Sequence, residues 1–268
     1  MSDPAGARVL VVPFRVGQPM PAPRLDVECE ELRPPLPDGT AQERLGVLCG
    51  AIAARVAAGA ARAVYIGDCV LTLGVLAGLQ RRGLEPNLIW LDAHADFNTW
   101  ETTPSGFLGG MPLAMAVGLG EQTIVRAADL RPISAGRIVL ADGRDLDPGE
   151  DLAVAGSGLR RVDVERLLAV PLPPGPLYVH LDVDVVDPAE MPAVSYRAPG
   201  GPSAAAVRGA VARLASTGQI AAFSVTLWEP ELPGAERSEA ATAALTRPLL
   251  DAVGVPRASP PPARPAAP

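Results

Sequence analysis

The sequence predicts a single α/β domain: a parallel sheet with helices packed on both faces. Three observations carry this. Short β-branched apolar runs alternate with longer Ala- and Leu-rich runs. The strand-like runs are apolar throughout rather than alternating, as a sheet covered on both sides requires. No internal repeat or linker divides the 268 residues, 48 % of which are apolar, and that length fits one large domain. Residues 1–255 are read as this domain. Residues 256–268, rich in Pro and Ala, are read as a disordered tail.

Taken in order, residues 8–14 form a first strand, and the Pro-rich, acidic stretch 15–40 a long loop. Residues 41–59 have helical periodicity and end at a glycine. A buried strand over 63–66 runs into Gly67-Asp68-Cys69, and a helix over 70–82 closes at Gly83. The strand 87–91 ends at Asp92. A helix over 110–119, a strand over 137–140 and a short helix over 162–168 follow. The strand 177–184, helix 204–215, strand 220–227 and helix 237–253 complete the pattern.

The charge balance excludes some functions. The chain has 23 Arg, no Lys and 30 acidic residues, a net charge of −7, with no basic cluster to neutralise phosphates, so nucleic-acid binding is not expected. No apolar run reaches the roughly 20 residues of a membrane span. The first residues lack a basic stretch followed by an apolar one, so no secretory signal is expected. Three scattered cysteines, Cys29, Cys49 and Cys69, do not suggest a disulfide framework and fit a reducing, cytoplasmic setting.

The acidic residues gather where strands are expected to end, which is where ligands bind in open α/β sheets. One strand leads into Asp92-Ala93-His94-Ala95-Asp96, another carries His180-Leu181-Asp182-Val183-Asp184, and a third ends near Glu229. A spacing of two in extended chain puts Asp92, His94 and Asp96 on one face, and likewise Asp182 and Asp184. Four carboxylates brought together would repel strongly unless a cation sits among them. Carboxylates with one imidazole suit Mn, Fe, Co or Zn. Two such ions sharing carboxylates can deliver hydroxide at neutral pH.

Asp92-Ala-His-Ala-Asp-Phe-Asn-Thr99, Leu181-Asp-Val-Asp-Val-Val-Asp-Pro188 with Pro192-Ala193 and Gly200-Gly201, and Gly67-Asp68-Cys69 resemble, in order, the signatures of the arginase/agmatinase (ureohydrolase) family. The resemblance implies a three-layer α/β/α fold and hydrolysis of guanidino groups with two Mn ions. It implies metal ligands at Asp92, His94, Asp96, Asp182 and Asp184, with Asp92 and Asp182 bridging, and Glu229 facing the substrate guanidinium. Asp96 could take a proton from the bridging hydroxide. Asn98, Ser105, Asp147 and Glu150 resemble the arginase branch, where such residues hold the amino-acid end of the substrate. Hydrogen bonding within the loops explains Asn98 and Ser105 as well. The family is commonly trimeric or hexameric, so a homo-oligomer is implied.

Two departures stand out. Cys69 replaces a ligating His, and Gly109 replaces a His that shuttles protons. A Cys69 thiolate would favour Zn, Fe or Co, but a small buried residue is an equal reading. His180 shares a strand face with Asp182, about 6–7 Å deeper. It is a candidate catalytic residue in place of the missing shuttle, a group orienting a ligand or bonding Cys69, or a core histidine. The leading expectation is a metal-dependent hydrolase, weakened or re-specialised, acting on a guanidino or related C–N substrate through metal-activated hydroxide. The alternatives are a catalytically degenerate binding or regulatory paralogue, and a Cys69 nucleophile.

Overall fold

The computed structural model describes residues 8–226 and 228–257. Eight strands form one sheet: β1 (Arg8–Val12), β2 (Cys29–Glu31), β3 (Ala61–Ile66), β4 (Asn87–Asp92), β5 (Ile138–Asp142), β6 (Arg160–Val162), β7 (Leu177–Asp182) and β8 (Ile220–Thr226). Their spatial order is β2-β1-β3-β8-β7-β4-β5-β6, and every pairing is parallel. The helices are α1 (Ala41–Ala57), α2 (Thr72–Arg81), α3 (Pro112–Ala116), α4 (Thr123–Ala127), α5 (Glu150–Ser157), α6 (Ala204–Ser216) and α7 (Ala235–Ala252).

Alternate residues of each strand feed two cores. Leu10, Val12, Val64, Leu88, Trp90 and Tyr178 pack under α1 to α5. Val9, Val11, Tyr65, Ile89, Val179 and Phe223 pack under α6 and α7. This gives the expected three layers. The register sets Ile66 beside Thr226, Thr226 beside Asp182, and Trp90 beside His180. The carboxyl ends of the four adjacent strands β3, β8, β7 and β4 therefore open at one place. No helix among the described residues is long and apolar enough to cross a membrane.

The local signals act as the chemistry requires. Thr40 and Glu43 form a reciprocal capping box at the start of α1, satisfying backbone N–H groups that the helix leaves unpaired. Gly74 and Gly78 let α2 lie directly on α1. A Cβ at Gly78 would stand 2.5 Å from Val56 Cβ, and one at Gly74 would stand 2.7 Å from the Cys49 carbonyl oxygen.

Several boundaries differ from expectation. The first strand stops at Val12, and Phe14–Arg15 pairs antiparallel with Gln18–Pro19 in a small hairpin. The stretch 15–40 also contains edge strand β2, too short and polar to read as a strand. The expected helix 70–82 starts as a 3₁₀ turn, Cys69–Leu71. The helix expected over 110–119 is a 3₁₀ turn, Leu108–Gly110, followed by the five residues of α3. The helix expected over 162–168 is a 3₁₀ turn, Val164–Leu168. The strand expected over 177–184 ends at Asp182. Helices α4 and α5 and strand β6 were not expected; each is short and takes its stability from packing rather than propensity. Of the expected tail 256–268, residues 258–268 lie outside the described residues.

Alanine is a better helix former than glycine by about 1 kcal/mol, yet Gly78→Ala is expected to destabilise the protein by about 1–3 kcal/mol, because the extra methyl overpacks the α1–α2 contact. A fall in the urea midpoint checks this; an unchanged or higher midpoint would contradict it.

Candidate metal centre

At the end of β3 the chain turns sharply through Gly67, where a Cβ would collide with Phe14 and Met20. Asp68 is consumed by this turn: its carboxylate accepts N–H bonds from Val70 at 2.9 Å and Val16 at 3.1 Å. Cys69 follows, buried, with Sγ 3.0 Å from Asp182 Oδ2 and 3.1 Å from Thr226 Oγ1. At the end of β4, Asp92 receives the Trp90 indole N–H at 3.0 Å and the His94 backbone N–H at 2.7 Å. His94 Nδ1 stands 3.1 Å from Asp184 Oδ2 and 3.4 Å from Asp92 Oδ1. At the end of β7, Asp182 accepts the Asp184 backbone N–H, and Asp184 accepts that of Ala93.

The acids converge for a different reason from the one the spacing suggests. Asp184 sits on a 3₁₀ turn, Val183–Val185, not on extended chain. The strand ends at Asp92, and Asp96 lies in a loop at φ +50, a left-handed conformation uncommon outside glycine. Tight turns rather than strand alternation carry Asp184 and Asp96 into the cavity wall.

Two donor groups result. Donor atoms of Cys69, Asp92, His180 and Asp182 lie within 4.8 Å of one another, as do those of Asp92, His94 and Asp184. Asp92 is common to both. Asp96 lines the same cavity outside either group, and its buried Oδ2 has no hydrogen-bond partner among the described residues.

Burial, then mutual repulsion, governs the charges. Asp182 is pushed up to about 7, first by burial and then by the Asp184 charge. Asp184 is pushed up to about 6, first by burial and then by Asp92. Asp92, Asp96 and Cys69 are raised too, burial again being the first cause. Burial opposes the charged form of His94, but its bonds to Asp184 and Asp92 outweigh this and push it up to about 12. Carboxyls raised in this way are relieved by a divalent cation among them. With the orphaned Asp96 oxygen, they make the residues fit a metal centre.

Beside this centre opens a cavity of about 470 Å³ lined by His94, Asp96, Asn98, Ser105 and Asp147 among others. Asn98 donates to Asp147 Oδ2 and accepts from Thr102 Oγ1, both at 2.9 Å. Glu150 also reaches the cavity wall, but both its oxygens accept backbone N–H groups, from Phe97 at 2.8 Å and Asp147 at 3.0 Å. It ties two loops together. Ser105 is exposed, and its Oγ accepts the Phe107 N–H. A Cβ at Gly109 would meet the Phe107 ring at 2.2 Å, so that ring fills the space beside position 109. Tyr196 packs on Phe107, ring centroids 5.1 Å apart.

His180 is fully buried, and burial lowers it to about 3, so it is neutral near pH 7 and poorly suited to take up the proton a shuttle passes on. Glu229 is bonded to Ser195 Oγ at 2.5 Å and ion-paired with Arg15. Arg15, Ser195 and Thr226 were not singled out from sequence. Arg15 is remote in sequence from the signatures, and Ser195 and Thr226, though close to Pro192-Ala193 and Glu229, form no spacing pattern of their own.

A family model described as the arginase family matches residues 26–251. The arginase of Bacillus subtilis is 33 % identical over 148 residues, 50 % of each chain. The N(omega)-hydroxy-L-arginine amidinohydrolase of Streptomyces lavendulae is 33 % identical over 182 residues, 66 % of this chain and 63 % of that one. The aligned stretch therefore spans half of the first relative and under two thirds of the second. The crystal structure of Bacillus subtilis arginase matches this fold with a TM-score of 0.76, at 24 % identity over 91 % of this chain and 98 % of that one.

The charge distribution sets a pH dependence. Between about pH 6.5 and 8 His94 keeps a proton in the native state that the unfolded chain releases, and Asp182 does so up to about pH 7; neutral His180 opposes them only at the low end, where the unfolded imidazole is still partly protonated. Stability of the metal-free protein should therefore fall as pH rises through this window, by up to about 1.4 kcal/mol per pH unit for each retained proton. With Mn²⁺ present the trend should reverse, since ligands bind as they lose protons. Urea midpoints with chelator and with Mn²⁺ test both signs. Rising stability in chelator would show that the acids are not protonated in the native state.

Proposed function

The chain belongs to the arginase family, and we propose that it is a metal-dependent hydrolase of C–N bonds acting on a guanidino, arginine-like small molecule. The observation that carries this is Asp92, shared by two donor groups beside a cavity of substrate size. The relatives' names, arginase and N(omega)-hydroxy-L-arginine amidinohydrolase, support the guanidino class. In this reading Asp92, His94 and Asp184 would hold one divalent ion, and Cys69, Asp92 and Asp182 the other. Bound metal would acidify water near neutral pH. Manganese, a homo-oligomer and a cytoplasmic setting belong to the same reading, on the family resemblance.

The chain's own residues divide the remaining work. Asp96, with its unpaired Oδ2 facing the cavity, accepts the proton released as water attacks. Asn98, Ser105 and Asp147 receive the polar end of the substrate, and Glu150 holds their loops in place. Glu229 attracts the guanidinium. A second reading, a binding or regulatory subunit without turnover, draws on the Phe107 ring packed against Gly109, which leaves no proton-carrying side chain there.

Purified, Mn²⁺-loaded protein should release urea or the matching amide product from some member of a guanidino panel. Asp96→Asn should cut kcat by about 10²–10⁴, the range for a positioned proton acceptor. Tight metal and ligand binding with no turnover of any guanidino compound would favour the non-catalytic reading. Arg15 already occupies the Glu229 carboxylate, so a substrate cation has to displace it. Arg15→Gln should therefore tighten binding of guanidino ligands by about three- to tenfold, equivalent to about 0.7–1.4 kcal/mol. Calorimetric titration checks this; weaker binding in the variant would mean that Arg15 itself holds the ligand.

A further inference from the structure

Cys69 does not stand alone as a soft donor. A ring nitrogen of His180, on β7, lies within 4.8 Å of the Cys69, Asp92 and Asp182 donor atoms, and its two ring nitrogens have different neighbours. Nδ1 lies 2.9 Å from Ser224 Oγ, which lies 2.7 Å from the Tyr178 hydroxyl. Nε2 has only Thr226 Oγ1 at 3.5 Å. Trp90 packs on the imidazole with centroids 4.0 Å apart and donates its indole N–H to Asp92. When Nδ1 donates to Ser224 Oγ, the imidazole presents a lone pair at Nε2, the arrangement by which outer hydrogen bonds orient ligating histidines. The orphaned, buried Asp96 oxygen in the same cavity is a second sign of an expected cation.

We propose that His180 is a metal ligand, completing with Cys69, Asp92 and Asp182 a four-donor position of one nitrogen, one sulfur and two carboxylates. This rests on the metal-dependent reading above and goes beyond it: the two positions are chemically unlike. Sulfur and imidazole make this one suited to Zn²⁺, Co²⁺ or Fe²⁺. The other, of Asp92, His94 and Asp184, has two carboxylates and one imidazole and suits a harder ion such as Mn²⁺. Cys69, Asp92 and Asp182 line the same small cavity as His94 and Asp184, whereas His180 is fully buried and outside that lining.

The chain has only two histidines. In His94→Asn, any imidazole found on a bound metal must be His180. The test is X-ray absorption on the full His94→Asn chain loaded with one equivalent of Zn²⁺. The expected result is one sulfur at about 2.3 Å and one imidazole nitrogen at about 2.0–2.1 Å. Sulfur without imidazole, imidazole without sulfur, or neither overturns the proposal. His180→Asn should lower Zn²⁺ affinity more than about 100-fold, whereas Ser224→Ala, which removes the orienting bond along with the Tyr178 hydroxyl's bond, should cost about 10–100-fold. Failure of the broader reading looks different: the unaltered chain would then bind neither Zn²⁺ nor Mn²⁺. If it binds Mn²⁺ with no sulfur or imidazole on added Zn²⁺, only the present inference falls.

Discussion

Four buried aspartates share one small volume, and the rest of the molecule is arranged around that repulsion. Asp92, Asp96, Asp182 and Asp184 are each under 9 % exposed, and no lysine or arginine is ion-paired to any of them among the described residues. Among the described residues His94 is the one basic side chain within ion-pairing distance of their carboxylates. In a low-dielectric setting such a group either keeps its protons or gathers a cation. Burial and mutual repulsion raise these carboxyls, and one aspartate oxygen has no hydrogen-bond partner among the described residues.

Holding the acids in place falls to groups just outside the cavity. One carboxylate oxygen each of Asp184, Asp92 and Asp182 is tied to the backbone N–H of Ala93, His94 and Asp184 in turn, which fixes the direction of those three side chains. Arg144 steadies the turn that carries Asp184 by donating to the carbonyls of Asp184, Val185 and Ala198. Glu150 does the same for the loop after Asp96. These braces matter because β4 and β7 end at Asp92 and Asp182, and everything beyond is loop or 3₁₀ turn. A site built on turns is only as exact as its supporting hydrogen bonds.

The substrate side is less symmetrical. Carboxylates line the cavity at Asp145 and Asp147, while at Glu229 an internal guanidinium already meets the carboxylate. The Arg15 hairpin is held by the Val16 N–H bond to Asp68 and turns through Val16 at φ +46, a strained conformation for a β-branched residue. The chain thus ties the position of Arg15 to the same turn that presents Cys69. The charge a ligand meets at the mouth depends on how β3 ends.

Residue order alone determined a good deal. Apolar runs and their punctuation marked the strands and long helices of a doubly covered sheet. The paired acidic motifs marked a metal-binding chemistry and the family. These features are legible because they are local: strand burial, helix capping and short motifs are written in neighbouring residues. Tertiary structure alone decided which acids face which. Asp184 and Asp96 reach the cavity through turns that a spacing of two does not encode. His180 joins Cys69 only because β7 and β8 lie between β3 and β4 in the sheet. Arg15 meets Glu229 across more than two hundred residues. Such contacts follow from strand order and from the packing of distant segments, and no run of neighbouring residues records them.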